Sequence, residues 1–161
     1  MQLSSDLEAL LRMGLAVACG LAMGYNRAHT PSHRRSRLRV HVLVGLSSCL
    51  MVLAAGQDTQ AHSRVIQGVA TGVGFLGAGE ILRSPVPDQE RRGQGETKED
   101  EESWGQAEGP VQVRGLTSAA SIWFTAALGL TVATTTPLLA LVALALALVV
   151  LSQTENGNQP P

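Results

Sequence analysis

The chain has 161 residues, of which 45% are hydrophobic but only 3% aromatic, and its formal net charge is −1. Residues 115–154 contain no Asp, Glu, Lys or Arg. At about 1.5 Å per residue this run forms about 60 Å of helix, enough to cross a bilayer twice at about 20 residues per crossing. So few large side chains would pack a compact soluble core poorly, and the composition favours an integral membrane protein.

Five apolar segments follow one another along the chain: 7–25, 38–56, 64–82, 116–134 and 137–151. Each reads as a transmembrane helix, so the predicted fold is an all-α membrane bundle. Between the last two segments, Pro137 fits the first turn of a new helix and disfavours helix just before it. We therefore expect a tight helical hairpin there.

The chain is predicted to divide into four parts, namely helices 1–3 in 1–82, a connection in 83–114, the helical hairpin in 115–152 and a polar tail in 153–161. The stretch 84–110 is rich in Gly, Pro, Glu and Gln, which predicts a disordered cytoplasmic loop. Its acidic run 99–102 could bind Mg²⁺ or Ca²⁺ weakly. A solvated run is favoured because a metal site needs ligands in a fixed geometry.

The distribution of basic residues predicts the orientation. The connection between segments one and two carries only basic charges, at Arg27, Arg34, Arg35, Arg37 and Arg39. The next connection, 57–63, has no Lys or Arg. By the positive-inside rule the first connection is cytoplasmic, which puts the N-terminus outside and the C-terminus inside the bacterial plasma membrane. A nucleic-acid patch is the weaker reading of the basic connection, since it lacks interleaved aromatics.

The stretch "GVATGVGFLGAGE", residues 68–80, contains five glycines: Gly68, Gly72, Gly74, Gly77 and Gly79. In a water-exposed helix each would cost roughly 0.5–1 kcal/mol relative to alanine. In a bilayer, small residues instead let helix backbones approach closely. We therefore expect this stretch to form a packing surface within a tight bundle.

Four blocks, in order "LLRMGLAVACGLAMGYNR", "RLRVHVLVGLSSCL", "GVGFLGAGEILR" and "VRGLTSAASIWFTAALGL", resemble the MgtC/SapB family of bacterial membrane proteins. The third and fourth carry most of the resemblance, through Gly72, Gly74, Gly77, Gly79, Arg114, Gly115, Thr117, Ala120 and Trp123. The likeness covers the membrane segments and implies a short form consisting of the family's N-terminal membrane domain.

The resemblance implies a role in magnesium homeostasis, as a Mg²⁺ transporter. The alternative it implies is a regulator that transports nothing and docks on a larger membrane complex such as the F-type ATP synthase. The sequence departs from the family pattern at Asn26, where a glutamate is usual, around Arg39 and His41, where a Gly and a Thr are replaced, and at Glu80, where an apolar residue is usual.

Ionisable groups within or beside the apolar segments are functional candidates. Arg12 stands four residues after Glu8, which favours an ion pair over a transport role. Glu80 and Arg83 favour an interfacial pair in the same way. Asp58 and Glu80 are the weak candidates for metal ligands, with His62 four residues after Asp58. Two ligands are too few to define a site.

A polar cytoplasmic mouth is expected where Asn26, Arg27, Arg39 and His41 converge with Glu80 and Arg114. His41 could sense pH there, although a solvated interfacial histidine is the favoured interpretation. Trp123 lies too far inside its segment for an interface anchor, and helix packing is expected of it.

The function classes narrow accordingly. The sequence contains no nucleophile elbow, phosphate loop, HExxH or CxxC motif, so we expect no enzymatic activity. The hydroxyls of "GLTSAAS" are expected to bond backbone or neighbouring helices. We expect no cofactor, with Mg²⁺ as a transported or sensed ion. The expected partners are the lipid bilayer and either another membrane protein or further copies of this chain, and nucleic acid is not expected.

Overall fold

The computed structural model describes residues 2–27, 31–82 and 115–153. These form five helices: α1 Gln2–Asn26, α2 Pro31–Ala54, α3 Thr59–Leu82, α4 Leu116–Thr134 and α5 Pro137–Gln153. No strand occurs in these ranges, and the predicted all-helical class is confirmed. The predictions for the connection 83–114, including Arg83 and Arg114, and for the tail after 153 lie outside the described residues.

Three helices are long and apolar enough to cross a membrane, over Ser4–Asn26, Arg35–Ala54 and Leu116–Thr134, and Pro137–Ser152 is a shorter apolar helix. The bounds of α4 agree with the predicted segment, because the chain leaves helical geometry on both sides of it. Gly115 before it has a φ of 87°, which favours glycine, and Thr135 after it is extended. Helix α5 begins at Pro137, as the sequence predicts.

Helix α4 is the centre of the bundle and packs against each of the other four helices. Helices α1 and α2 form an antiparallel hairpin, since Gly20 faces Val42 while Gly24 faces Leu38. Helix α4 runs antiparallel to α1 and parallel to α2. The bundle therefore has two ends. The Arg12 end contains the start of α1 and the turns α2–α3 and α4–α5. The Arg27 end contains the end of α1 and the start of α4.

The closest crossing joins α2 and α4 at Gly45 and Gly129. A Cβ on Gly129 would overlap the carbonyl oxygen of Gly45, and it would lie 3.1 Å from Ser48 Cβ. Backbones can meet this closely only where a side chain is absent, which is how small residues drive helix association in a bilayer.

Most glycines of α3 do not pack within the bundle, contrary to the expectation from the sequence. Among the described residues, nothing lies within 4 Å of where a Cβ would stand at four of them: Gly68, Gly72, Gly74 and Gly79. Gly77 alone packs within the chain, with its Cβ position 3.4 Å from Ala119 Cβ. The reason is that α3 contacts the bundle mainly through the face that carries Val69, Val73 and Gly77.

Small and branched side chains fill the interior in three clusters. One contains Ala16, Cys49, Val52, Val132, Ala133 and Ala140. The next contains Val44, Val69, Val73, Ile122 and Ala126, and the last contains Cys19, Met23 and Leu128. Many larger apolar side chains point outward, as Phe75 does with 81% of its surface exposed. A soluble monomer rarely exposes so much apolar surface, whereas a bundle surrounded by lipid does.

Candidate functional sites at the two ends of the bundle

Arg12 joins two helices at the first end. Its Nη2 contacts Glu8 Oε1 at 2.8 Å, which is the ion pair expected from the spacing. Its Nη1 donates to the carbonyl oxygens of Val132, at 3.2 Å, and Ala133. These carbonyls belong to the last turn of α4, which is the negative end of the helix dipole. The arginine therefore has a structural role, joining α1 to the end of α4.

A polar cavity of about 390 Å³ opens beside Arg12. Asp6, Glu8, Gln57 and His62 contribute polar atoms to its lining. Asp6 and Glu8 are exposed. The cavity thus places two carboxylates at the mouth of the bundle, one of which already pairs with Arg12.

Asp58 caps α3. Its Oδ1 accepts a hydrogen bond of 3.0 Å from the backbone N–H of Gln60, and its carbonyl oxygen accepts one from the backbone N–H of His62. The His62 ring donates from Nε2 to the Gly56 carbonyl oxygen at 2.7 Å. The side chains of Asp58 and His62, which were the expected pair of ligands for a cation, thus both form hydrogen bonds with backbone groups. Among the described residues no group of three or more His, Cys, Asp or Glu side chains could hold a metal ion.

Two arginines bind the first turn of α4 at the opposite end. Arg27 Nη2 donates to Thr117 Oγ1 at 2.6 Å, and Arg37 Nη1 donates to Ser118 Oγ at 2.9 Å. Gly115, the N-cap residue, offers no side chain to this turn. The arrangement is electrostatically unusual, because both cations lie beside the positive end of the α4 dipole. Such an end favours an anion.

His41 is buried, with 2% of its surface exposed, so the favoured interpretation of a solvated histidine is wrong. The reason is that α2 presents it to α4 one turn inside the bundle. Its Nδ1 donates to the Arg37 carbonyl oxygen at 2.8 Å, and its Nε2 lies 3.1 Å from Ser121 Oγ. Since a carbonyl can only accept, Nδ1 carries a proton. The Ser121 hydroxyl also reaches the Ser118 carbonyl oxygen at 2.7 Å.

The predicted cytoplasmic mouth forms only in part. Asn26 ends α1 and is half-buried, and the side chain of the next residue, Arg27, bonds to Thr117 of α4. Arg39 is exposed on α2, whereas His41 is turned inward. Glu80 lies in the last turns of α3, which also reach this end, but its side chain and Arg114 lie outside the described residues. The structure therefore brings Arg27 and His41 onto α4 but leaves Arg39 apart from them.

The remaining motif residues lie on or near α4 with different environments. Thr117 accepts the Arg27 hydrogen bond, and Ala120 is exposed. Trp123 is 49% exposed, so much of its ring faces away from the bundle rather than into a helix contact.

Sequence reasoning missed the residues that form the tightest contacts. Gly20 and Gly24, in "GLAMG", have the G-x-x-x-G spacing that marks a close helix contact, and this signal was available. Gly45 and Gly129 form no such repeat with each other, so no sequence signal identifies that pair. The sequence predicts that the hydroxyls of α4 bond to backbone or to neighbouring helices. It does not identify Arg37 as one of their partners.

Over the described residues, an all-helical bundle with an apolar exterior and with its charged side chains mostly toward its two ends is typical of a membrane protein. The chain belongs to the MgtC family, whose sequence model matches residues 13–158.

Among curated relatives, the chain is 39% identical to Protein SrpB of Synechococcus elongatus, over 73% of this chain and 59% of SrpB. It is 34% identical to "Putative magnesium transporter YhiD" of Escherichia coli K12, over 78% of this chain and 50% of YhiD. The chain thus matches about half of the length of these relatives. No solved structure matches it.

Proposed function

We propose that this chain serves magnesium homeostasis as a Mg²⁺ transporter of the bacterial inner membrane, and that it does so without enzymatic activity. The observation that carries the proposal is its 34% identity, across 78% of its length, to the protein named "Putative magnesium transporter YhiD". In this proposal the five helices each cross the membrane, with the Arg12 end outside and the Arg27 end in the cytoplasm. The positive-inside distribution of arginines supports that orientation.

The cavity beside Arg12 suits the collection of Mg²⁺ at the outer face. Mg²⁺ usually keeps several waters and binds proteins through one or two carboxylates. A cavity of about 390 Å³ has room for a hydrated ion near Asp6, whereas the charge of Glu8 is balanced by Arg12.

The passage through the membrane is constrained by the distribution of acids. Within the described parts of α1, α2 and α4, the acidic residues are Asp6 and Glu8, both near the start of α1. Along these three helices a bare ion would find no carboxylate at mid-depth to replace its lost water. The ion therefore crosses with water around it, or through an interface between copies of the chain.

The test is Mg²⁺ uptake into liposomes that contain the purified full chain and a Mg²⁺-sensitive dye. Saturable uptake is expected, and we expect Asp6→Asn, which removes the carboxylate charge of the cavity lining that Arg12 does not balance, to lower it, with Glu80→Gln and Asp58→Asn as the variants that test the acids near the ends of α3. Asparagine caps a helix as well as aspartate does, so Asp58→Asn removes the charge while keeping α3 capped. Arg39→Gln, at an exposed position, is the control. Folded, inserted protein that gives no uptake above empty liposomes would contradict transport.

A second candidate function has its own observation. The open glycine positions of α3, together with Phe75 and Leu76, form an outward face that nothing in the described chain covers. We propose as the alternative a regulator that packs this face against a larger membrane complex, such as the F-type ATP synthase, and that transports no ion.

This alternative is tested by co-purification from the native membrane. Gly74→Leu should release a bound partner without unfolding the chain, because its Cβ position is open. Gly14→Leu is the matched control, since Gly14 on α1 is equally open. Equal retention of the partner by both variants would contradict docking through α3.

A further inference from the structure

An apolar groove of about 480 Å³ lies between α4 and α5 at the Arg27 end. Its lining is almost entirely apolar and comes from three helices: Met23, Thr117, Ala120, Ser121, Phe124, Ala143, Leu146, Ala147, Val150 and Leu151. The volume is within the roughly 300–1,000 Å³ of small-ligand sites. An almost entirely apolar lining does not provide a ligand set for Mg²⁺, so the proposed transport does not account for this groove.

The groove has the length of a lipid tail within one leaflet. From Thr117 to Phe124 it follows about 10 Å of α4, and from Ala143 to Leu151 about 12 Å of α5, at about 1.5 Å per residue. One leaflet contributes about half of the roughly 30 Å hydrocarbon thickness. Leu146 and Val150 are 64% and 65% exposed, so the groove opens toward the side where lipid lies.

The mouth of the groove carries positive charge. Thr117 lines the groove, and its Oγ1 accepts the 2.6 Å hydrogen bond from Arg27 Nη2, so the guanidinium lies at the groove's edge. Arg37 binds the next residue, Ser118. The uncapped first turn of α4 adds the positive end of its dipole. Arg27 and a helix N-terminus at the edge of an apolar groove, with Arg37 on the neighbouring residue of α4, complement a molecule with an anionic head and an apolar tail.

We propose that this groove binds one anionic phospholipid, with an acyl chain between α4 and α5 and the phosphate headgroup at Arg27. The lipid would come from the leaflet on the Arg27 side, which is the cytoplasmic leaflet in the proposed orientation. Arginine suits this role because its planar guanidinium donates to two phosphate oxygens at once. The site is a specific contact, distinct from the general attraction of basic segments to an anionic membrane surface.

The test is native mass spectrometry of the purified full chain in detergent, titrated separately with phosphatidylglycerol and phosphatidylethanolamine. The wild-type chain is expected to bind the anionic lipid several-fold more tightly. Arg27→Gln removes charge-assisted hydrogen bonds to the phosphate, so it should lower that affinity about tenfold. Arg39→Gln is the charge-matched control, because Arg39 is exposed on α2 and does not line the groove, and it should change the affinity less than twofold.

A bulky side chain in the groove tests the contact with the acyl chain separately from the contact with the headgroup. Ala120 lines the groove and is exposed, so Ala120→Phe should abolish the binding of both lipids there. Ala145→Phe is the size-matched control, since Ala145 is exposed on α5 outside the lining, and it should bind as the wild type does. Circular dichroism and elution as a single species check that each variant is folded.

The proposal is overturned if Arg27→Gln and Arg39→Gln lower the affinity equally, since general surface charge would then explain the binding. It is also overturned if the wild type shows no preference between the two lipids, or if it forms a dimer that excludes lipid. Should Ala120→Phe fail to fold, the Arg27 and Arg39 comparison still decides. No magnesium enters the assay, so its result is independent of transport.

Discussion

A single half-buried arginine, Arg12, shows how this chain tolerates charge in an apolar helix. An ionised side chain at membrane depth is costly unless it is paired. Arg12 is paired twice, with the Glu8 carboxylate and with the last carbonyls of α4. Those carbonyls lack intrahelical partners in any helix. The Arg12 side chain thus balances the charge of Glu8 and donates hydrogen bonds to terminal carbonyl groups of α4. This makes Arg12 a structural residue.

Replacement by alanine, the smallest substitution, is expected to affect Gly129 and Gly68 differently. Gly129→Ala places a methyl group against the Gly45 carbonyl, a backbone group that cannot move aside. Overpacking of this kind costs about 1–3 kcal/mol. Gly68→Ala is the control, because its Cβ position is open, and alanine there should be neutral or stabilise the helix by up to about 1 kcal/mol. Unfolding in detergent with increasing SDS measures both. Equal stability of the two variants would contradict the close crossing.

Residues at the helix starts determine where α3, α4 and α5 begin. Pro137 begins α5 and Gly115 precedes α4, both as local chemistry requires. Helix α3 begins directly after Asp58, whose carboxylate accepts from the backbone N–H of Gln60. This cap matters because α3 packs against the bundle along one face only, leaving much of the helix supported by its own hydrogen bonds.

The cap predicts how α3 responds to substitution at Asp58. Asp58→Ala should destabilise the protein by about 0.5–2 kcal/mol, whereas Asp58→Asn should be close to neutral, because asparagine accepts the same hydrogen bond. Hydrogen exchange of the first turn of α3 localises the effect, and it should be faster in the alanine variant alone. A loss of stability shared by both variants would show that the carboxylate charge matters beyond capping.

At the scale of the whole molecule, the two ends of the bundle differ in chemistry. The Arg12 end contains a polar cavity lined by Asp6 and Glu8, with Asp58 nearby as the cap of α3. The Arg27 end gathers arginines on the start of α4. The arginines at the Arg27 end are what the positive-inside rule expects on the cytoplasmic side of a membrane protein. The difference between the ends also gives the proposed ion entry and the proposed lipid site opposite ends of the same bundle.

The proposed orientation is measurable by thiol labelling in intact cells. Cysteine placed at Gln57 should react with a membrane-impermeant maleimide, since that exposed residue lies at the Arg12 end. Cysteine placed at Ser36, exposed near the start of α2, should react only after the cells are permeabilised. The natural Cys19 and Cys49 are 1% and 0% exposed and should remain unlabelled, which provides the background. The reverse pattern of labelling would invert the proposed topology.

The sequence by itself determined the helical class, the bounds of α4, the start of α5 and the Glu8–Arg12 pair. Each of these depends on neighbours within a few residues: apolar runs, a proline's fixed φ, or side chains one helical turn apart. The resemblance of four local blocks likewise led to the family.

Only the tertiary structure decided which glycines pack and which polar groups meet. Gly45 and Gly129 are far apart in sequence, and their contact depends on how α2 and α4 cross. The same crossing buries His41 against Ser121. The glycine-rich face of α3 stays open because that helix turns a different face to α4. Local sequence specifies a helix and its small residues, but the face presented to a neighbour is chosen by the packing of the whole bundle.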